Sequence, residues 1–309
     1  MIRLESLTRR FGQRTVVNAL SFEVPTGQLC AVLGPNGAGK TTTVRMLLGL
    51  IPPTAGRAQV AGITVPGEAA ERSAVRRRCG LLTETPGFYD RVSAWDNLVL
   101  FGRLYGLSDD RLRAGIERHL RFMELWSRKD DPVATFSKGM KQRLALVRAI
   151  LHDPEVVFFD EPTSGLDPAS ARDVRALITN LRQEGRTILV CTHNLTEAEE
   201  LADLVAVIRT SLLAFGAPAE LTAPHASAEV LVRLEGGSDG VIAALRARPQ
   251  VLEAAPHKDG LAVTLEDLRR DTPALVADLV GLGARVLEVR PRRTTLEQVY
   301  LEAVGRESP

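Results

Sequence analysis

A glycine-rich segment near the start of the chain has the residue types and spacing of a phosphate-binding loop, G-x-x-x-x-G-K-[ST]. An apolar run of strand length precedes it, and a helical pattern begins at Thr42. The glycines let successive N–H groups point inward, Lys40 is expected to reach the outer phosphates, and Thr41 is expected to offer its hydroxyl to Mg²⁺. A turn with a chance lysine is the alternative, which the complete pattern disfavours. The segment consists of Gly34, Pro35, Asn36, Gly37, Ala38, Gly39, Lys40 and Thr41.

Two adjacent acids, Asp160 and Glu161, follow the apolar run Val156–Phe159, which has the pattern of a strand covered on both faces. Given a nucleotide on the glycine-rich loop, Asp160 is placed to hold Mg²⁺ through water. Glu161 is placed to orient or deprotonate an attacking water. Acids that merely cap a turn are the alternative, and the upstream loop favours hydrolysis over it.

Three further side chains occupy positions that suit a nucleotide site. His193 follows the apolar strand Thr187–Cys191, and Glu84 follows the short strand Cys79–Leu82. Because open α/β sheets bind ligands at the carboxyl ends of their strands, His193 could contact the γ-phosphate, and a hydrogen-bonded loop histidine is the alternative. Glu84 alone is better explained as a solvated loop acid. Phe11, at the tip of the first turn, could stack on adenine or simply cover the edge of the core.

Composition limits the class of protein. The 309 residues suggest about two domains, and 45% hydrophobic with 25% charged residues is typical of a globular chain. A net charge of +1 does not favour nucleic acid as a partner. The cysteines Cys30, Cys79 and Cys191 have no C-x-x-C spacing and are expected to be reduced and buried, which indicates the cytoplasm. No apolar run reaches the length of about eighteen residues that a membrane span needs, so another chain is expected to supply any membrane contact.

The elements expected around these residues form an α/β domain. Residues 1–33 are predicted to be β-rich, and residues 93–152 to form helices inserted into the domain. The second inserted helix is expected to keep its apolar face through Trp126. Start signals at Thr196–Glu199 and at Thr272–Pro273 predict two later helices.

The segment Phe136–Arg143 resembles the signature loop of ATP-binding cassette (ABC) ATPases, which a general P-loop enzyme lacks. The other motifs of that family follow in its order, with Glu84 at the Q-loop position, Ser164–Asp167 as the D-loop and His193 as the switch histidine. Phe11 matches the position that stacks on adenine in the family, which favours stacking over a structural role.

The resemblance covers residues 1 to about 215 and implies the fold. It indicates an α/β P-loop NTPase cassette with a RecA-like core sheet, a β-rich lead-in and an inserted helical subdomain at about 86–153. Residues 216–309 are expected to form a small accessory domain, because their order βαββαβ plus a helix suggests an α+β ferredoxin-like fold. A capping box at Thr294–Glu297 predicts the last helix.

The accessory domain resembles known proteins more weakly than the cassette does. Its segment Thr295–Leu301 looks like the C-terminal motif of ATPases from daunorubicin-resistance-type exporters, members of the ABC-2 group. His225 and His257 are interpreted as solvated surface residues. A dimer contact or a regulatory role is expected for this domain.

The signature segment predicts a second anion site, because the N–H groups of Ser137 to Met140 and the Ser137 hydroxyl open a helix. The phosphates of one nucleotide are already enclosed by the glycine-rich loop through Thr42. The resemblance implies a head-to-tail homodimer that forms with ATP, in which Ser137 and Gly139 of one subunit close over the ATP held by the other. It places Lys138, Met140 and Asp167 at that nucleotide as well.

Two departures from the family pattern stand out. The consensus signature is L-S-G-G-Q, whereas Lys138 and Met140 replace a glycine and the glutamine, a variant seen in the drug-export branch. Glu84 replaces the Q-loop glutamine. Its carboxylate could still meet Mg²⁺, but it adds negative charge near the phosphates.

The resemblance implies ATP hydrolysis, with ATP and Mg²⁺ bound, that powers a separate membrane permease. Export of drugs, lipophilic compounds or lipids is expected, with the chain held at the cytoplasmic face of the cell membrane. The segment Pro86–Tyr105 is expected to receive a permease helix through Phe88, Tyr89 and Trp95, and core packing explains Trp95 equally well. Two alternatives are a non-transport cassette ATPase of DNA repair or translation and a nucleotide-binding regulator without turnover, which Glu161 disfavours.

Overall fold

The computed structural model describes residues 1–222, 229–235, 239–258, 260–292 and 295–305. These residues fall into two compact units, drawn from Met1–Pro218 with Ala303–Pro309 and from Ala219–Glu302. The boundary signals at Pro224–Ser227, with His225 among them, and the predicted cap residue Thr294 lie outside the described residues. In the ranges that are described, no helix is both long and apolar enough to cross a membrane.

The first unit alternates strands and helices. Its strands are β1 (Ile2–Phe11), β2 (Arg14–Val24), β3 (Leu29–Leu33), β4 (Ala55–Val60), β5 (Ile63–Val65), β6 (Cys79–Leu82), β7 (Val156–Asp160), β8 (Thr187–Thr192), β9 (Leu204–Arg209) and β10 (Ser211–Gly216). Its helices are α1 (Lys40–Leu47), α2 (Ala69–Arg78), α3 (Ala94–Leu104), α4 (Asp109–Phe122), α5 (Lys138–Ile150), α6 (Pro168–Gln183) and α7 (Leu195–Leu201), and α8 (Pro218–Thr222) begins at its boundary.

A six-stranded sheet places the site. Its order is β10-β9-β3-β8-β7-β6, and all neighbours pair in parallel except β10 with β9. Strands β3, β7 and β8 are buried along their whole length, as expected for strands covered on both faces. The pairing of Leu33 with Thr192 and of Asp160 with Cys191 brings the carboxyl ends of these strands to one edge. A separate antiparallel sheet, β2-β1-β4-β5, forms the β-rich lead-in, in which β1 extends as far as Phe11.

The inserted helices are held by an apolar core that they share with the sheet. Leu98 of α3, Ile116 of α4 and Leu144 of α5 are fully buried in the cluster that contains Val157 and Phe159 of β7. Each such leucine or isoleucine contributes roughly 2 kcal/mol through burial of its side chain. The start of α5 is therefore fixed relative to the sheet edge.

Helix α4 is shorter than predicted. It ends at Phe122, and Trp126 belongs to a separate 3₁₀ turn, Trp126–Arg128. Glu124 adopts a left-handed backbone with φ 55°, which terminates an α-helix, and the Leu125 N–H bonds back to the Leu120 carbonyl. The predicted apolar face does continue, because Met123 is buried and Trp126 packs against the same core. Only the helix was predicted too long, since the turn that ends it keeps these side chains on the buried side.

Two predicted helix starts were also wrong. Helix α7 is capped by Asn194, whose side-chain oxygen accepts from the Glu197 N–H, so Thr196 already lies inside the helix. In the second unit the helix predicted from Thr272–Pro273 begins earlier, because the Asp267 carboxylate accepts the N–H groups of Arg269 and Arg270. Asp and Asn cap helices at least as well as Thr, and the stronger acceptor upstream sets the start.

The second unit is an α+β arrangement with its own core. It contains β11 (Glu229–Glu235), α9 (Asp239–Arg246), β12 (Val251–His257), β13 (Gly260–Leu265), α10 (Leu268–Gly281), β14 (Arg285–Pro291) and most of α11 (Leu296–Gly305). The strands pair antiparallel in the order β12-β13-β11-β14. Val232, Leu245 and Leu275 are among the residues buried between sheet and helices. The ferredoxin-like assignment of this unit stays a prediction.

Candidate nucleotide site

A cavity of about 430 Å³ opens at the carboxyl edge of the six-stranded sheet. Its walls come from the glycine-rich loop between β3 and α1 and from the segments that follow β6, β7 and β8. It is lined by Val16, Pro35, Asn36, Gly37, Ala38, Gly39, Lys40, Thr41, Thr42, Glu84, Asp160, Glu161, Ser164 and His193. Most of the predicted site residues therefore meet in one place.

The glycine-rich loop needs glycine at two positions for steric reasons. Gly39 has φ 101°, and a Cβ there would lie 2.7 Å from the Val16 carbonyl oxygen. Gly34 does not have a left-handed backbone, but it is buried, and a Cβ on it would overlap the Ile208 carbonyl oxygen. Only glycine therefore fits at this position. At these two positions the loop packs against β2 and β9 with no room for a side chain, and the loop lines the cavity.

Lys40 starts α1 and is almost fully buried at 7% exposure. Its ammonium donates to the Gly34 carbonyl at 2.6 Å, lies 3.5 Å from the Pro35 carbonyl oxygen, and is 3.7 Å from Glu161 Oε1. A buried ammonium is costly unless it has such partners. Lys40 is held at the wall of the cavity by its own loop and by the acid that follows β7.

Thr41 and Asp160 are joined directly, since the Thr41 hydroxyl donates to Asp160 Oδ2 at 2.6 Å. Burial is the main cause that raises the pKa of Asp160, and the charges of Glu161 and Glu84 raise it further against the Thr41 hydroxyl. Carboxylates and a hydroxyl gathered in this way favour a cation with oxygen ligands. The described residues contain no cluster of three or more His, Cys, Asp or Glu side chains placed to hold a metal ion alone.

That donor set fits Mg²⁺. Mg²⁺ is usually held by one or two protein ligands and completes its shell with waters and phosphate oxygens, rather than by a protein cage. Thr41 and Asp160 supply such a pair. Glu84 lines the same cavity but is exposed, so it stands at the rim.

Glu161 and His193 form the second polar pair, with His193 Nδ1 and Glu161 Oε2 2.8 Å apart. The side chain of Glu161 is 11% exposed, whereas that of His193 is 64% exposed. Glu161 has φ 51°, a strained backbone for a residue other than glycine, and its N–H donates to the Cys191 carbonyl at 2.8 Å. Strain of this kind, which costs about 1–3 kcal/mol, clusters at functional sites.

Phe11 is placed apart from the phosphate-binding walls. Its ring is 47% exposed and stacks under the Arg9 guanidinium, 4.5 Å from the ring centroid, and it does not belong to the described residues that line the cavity. Val16 lines the cavity instead, and it was missed because a valine in a strand carries no chemical signal. Ser164 was recognised only as part of the D-loop motif.

The signature residues lie outside this cavity. Ser137 caps α5 by accepting the Met140 N–H at 3.2 Å, and Ser137 and Lys138 are exposed. The Lys138 ammonium lies over Gly165, where a Cβ would overlap it. The fold therefore does not bring Ser137, Lys138, Gly139 or Met140 to the glycine-rich loop of the same chain.

The turn after β7 leads into α6 and is contacted by α5. Asp167 caps α6 by accepting the N–H groups of Ala169 and Ser170, and the Ser170 hydroxyl lowers the pKa of its carboxyl. The buried Gln142 amide donates to the Pro162 carbonyl at 3.0 Å. Gln142 was missed, since only its tertiary contact with residue 162 gives it a role.

The aromatic residues expected to meet a permease differ in exposure. Tyr89 is 57% exposed, whereas Phe88 is half-buried beneath the Arg148 guanidinium. Trp95 packs against the core of the helical segment, with its ring 6.2 Å from that of Trp126 in an edge-to-face arrangement. Core packing therefore accounts for Trp95.

Comparison with known proteins gives consistent matches. The profile of a family described as ABC transporter matches residues 17–164. The Nod factor export ATP-binding protein I of Ralstonia nicotianae is 38% identical over an alignment of 315 positions, which covers 99% of this chain and 94% of that protein. The linearmycin resistance ATP-binding protein LnrL of Bacillus subtilis is 28% identical over an alignment of 311 positions, which covers 99% of each chain.

A solved structure matches the first unit in fold. The dimeric, post-hydrolysis structure of the ATP-binding cassette MJ0796, bound to ADP and Pi, has a TM-score of 0.64 and 22% identity. The match covers 70% of this chain and 98% of that one.

Proposed function

The chain belongs to the ABC transporter family of ATP-binding proteins, and on that premise we propose that Glu161, His193, Lys40 and the Thr41–Asp160 pair form its ATPase centre. The sequence-based predictions of the family, of the cassette fold and of an ATPase are confirmed. Among the findings, none favours a role in DNA repair or translation.

One observation carries the assignment of the centre. Three segments far apart in sequence, the glycine-rich loop and the ends of β7 and β8, place a lysine, a threonine, two acids and a histidine around one cavity of about 430 Å³. If these side chains formed only a structural ion-pair network, no cavity would be expected between them. If the loop only bound phosphate, the contact between Glu161 and His193 would have no role.

Each residue has a distinct part in the proposed reaction. Backbone N–H groups of residues 36, 37 and 39–41 and the Lys40 ammonium bind the β- and γ-phosphates, while the Ala38 N–H bonds to the Pro35 carbonyl within the loop. Mg²⁺ held by Thr41 and Asp160 would neutralise the charge that develops on the phosphate oxygens. Glu161 orients an attacking water and accepts its proton. His193 holds the Glu161 carboxylate in place and contacts the γ-phosphate.

The active form is proposed to be a head-to-tail homodimer. The exposed N-terminus of α5 with Ser137 is suited to an anion, yet the cavity of its own chain lies elsewhere. In the dimer, Ser137 to Met140 of one subunit would close over the ATP bound by the other, with Asp167 at the same contact. The MJ0796 cassette, which this chain resembles in fold, is described as dimeric.

The proposed setting is the cytoplasmic face of the membrane, where a separate permease binds the dimer. The named relatives act in Nod factor export and linearmycin resistance. Export of drugs, lipophilic compounds or lipids is therefore proposed, with the exposed Tyr89 region as the permease contact. The accessory unit is proposed to act in dimer contact or regulation.

Substituting Glu161 by glutamine tests the centre. We expect kcat for ATP hydrolysis to fall by about 100-fold, because the amide cannot accept the proton of the attacking water. ATP-dependent dimerisation, measured by analytical ultracentrifugation, should persist. Glu155→Gln is the matched control. Glu155 is an exposed acid that precedes β7, whereas Glu161 follows that strand, and it pairs with Arg78. This variant should hydrolyse ATP at the normal rate. An unchanged rate in Glu161→Gln would contradict the proposed mechanism.

The permease contact is tested by capture of a co-expressed permease on the tagged chain. Replacement of Phe88 and Tyr89 by alanine should abolish capture, whereas Phe122→Ala, a 48% exposed aromatic of the same helical segment, should not. Full capture by the double variant would exclude this surface as the contact.

A further inference from the structure

The loop that carries His193 is closed by a ring of hydrogen bonds that leads to one buried acid, Glu197. The Thr192 hydroxyl donates to Glu197 Oε2 at 2.9 Å. The Asn194 N–H donates to the Thr192 hydroxyl at 3.0 Å, and the Glu197 N–H donates to Asn194 Oδ1 at 3.1 Å. His193 is the residue enclosed by this ring. The ring fixes the backbone on both sides of His193, although its imidazole is largely exposed.

Capping of α7 does not explain Glu197. Asn194 already provides the side-chain acceptor at the start of that helix. Glu197 is only 2% exposed, and Arg175, whose charge lowers the pKa of its carboxyl, forms its ion pair with Glu200 instead. Its Oε1 is buried without a hydrogen bond of normal geometry among the described residues, although the Thr163 hydroxyl lies close enough to lower the pKa of the carboxyl. A buried polar group left in this way costs about 1–3 kcal/mol, and a surface position on the helix would avoid that cost.

Glu197 also stands next to the segment that carries Glu161. Burial raises the pKa of its carboxyl, and the hydroxyls of Thr192 and Thr163 act against that shift. Thr163 belongs to the turn that begins at Glu161, where the Ser164 N–H bonds back to the Glu161 carbonyl. One carboxyl therefore lies between the two segments whose side chains meet at 2.8 Å, His193 Nδ1 and Glu161 Oε2.

We propose that Glu197 is a positioning residue of the ATPase centre. It accepts a hydrogen bond from the Thr192 hydroxyl and thereby holds the His193 imidazole in contact with the Glu161 carboxylate. The inference rests on the proposed role of His193. Glu197 acts as a hydrogen-bond acceptor, since the Thr192 hydroxyl bonds to it directly, whereas Arg175, whose charge lowers the pKa of Glu197, forms its ion pair with Glu200. Glutamine retains an acceptor for Thr192 and places its amide beside Thr163, whereas alanine retains neither contact.

Steady-state ATP hydrolysis by the full chain separates these substitutions. Glu197→Ala should lower kcat about tenfold, as expected when one buried hydrogen bond is lost, with KM for ATP unchanged because Lys40 is untouched. Glu197→Gln should keep nearly the normal rate. Glu200→Gln, an exposed acid of the same helix that pairs with Arg175, is the matched control and should be normal. A rate in Glu197→Gln as low as in Glu197→Ala would overturn the acceptor role.

A double variant shows whether Glu197 acts through His193. In a His193→Ala background, Glu197→Ala should cause no further loss of kcat, because its effect is already removed. Losses that multiply would overturn the inference while leaving the role of His193 intact. A normal rate in His193→Ala alone would instead contradict the proposed function of His193, so the two failures are distinguishable.

Nuclear magnetic resonance gives a readout that does not depend on activity. With ¹⁵N-labelled histidine, the imidazole nitrogen shifts of His193, assigned by their loss in His193→Ala, should move in Glu197→Ala and stay in place in Glu197→Gln. Shifts that stay in place in a folded Glu197→Ala protein would overturn the inference.

Discussion

Two helix starts in the first unit are suited to phosphate, and they are built in opposite ways. Helix α1 begins after Gly39, a left-handed glycine without a side-chain cap, and its N-terminus faces a cavity walled by acids and a histidine. Helix α5 begins after Ser137, whose hydroxyl caps the helix, and both Ser137 and the first helical residue, Lys138, are exposed. The first start belongs to a finished pocket, and the second is an open surface.

The difference also shows in the two lysines and the two glycines. Lys40 is buried and fixed by two carbonyls, whereas Lys138 extends over Gly165 on the surface. A Cβ on Gly39 would lie 2.7 Å from a backbone oxygen, but a Cβ on Gly139 would lie 3.6 Å from the Ser170 hydroxyl, an ordinary contact. Sterics within the chain demand glycine only in the first case. If Gly139 matters, the reason lies in another subunit.

The lysine pair should give the largest contrast. Lys40→Ala is expected to weaken ATP binding about 100-fold, since it removes a desolvated ammonium from the phosphate site. Lys138→Ala should leave the affinity of the isolated chain for ATP unchanged and weaken only ATP-dependent dimerisation. Isothermal titration calorimetry measures the first quantity and ultracentrifugation the second. Equal losses of ATP affinity would break the contrast between the two helix starts.

The glycine pair sharpens the same point through stability. Gly39→Ala should lower the unfolding free energy by about 1–3 kcal/mol, because alanine disfavours φ 101° and its methyl meets the Val16 carbonyl. Gly139→Ala should leave thermal unfolding unchanged and lower ATPase activity. A destabilised Gly139→Ala protein would show that the chain itself needs glycine there.

The smallest effect concerns the helical segment that supports α5. Burial, with a contribution from the Arg118 charge, lowers the pKa of His119 to about 4 from 6.5. Below about pH 6.5 the unfolded chain therefore binds a proton at His119, whereas the folded chain binds it only near pH 4. The stability that the neutral His119 contributes above about pH 6.5 is lost as the pH falls toward 4. We expect His119→Gln to show a weaker decline of melting temperature over this range, by about 2 °C. Parallel declines in both proteins would contradict this role.

The residues of the phosphate site at the start of α1 could be predicted from the sequence far better than the residues that support them. A phosphate-binding loop needs particular residues at fixed spacing, so Gly34 to Thr41, Asp160, Glu161 and His193 could be identified from residue types and order alone. Val16, Gln142 and Glu197 could not, because each acts through a contact with a residue distant in sequence or through its burial in the fold. The starts of α7 and α10 were missed for a local reason, since a stronger cap lay a few residues upstream.

Complementation between two inactive variants tests the composite site most directly. Lys40→Ala inactivates the pocket of its own chain, and Ser137→Arg inactivates the surface offered to its partner. In a mixture, half of the dimers should be mixed pairs, each with one site built from an intact pocket and an intact signature. The account predicts that two nearly inactive proteins regain about a quarter of the normal ATPase rate when mixed in equal amounts, if the sites act independently. A mixture no more active than the average of its components would contradict a site shared between two chains.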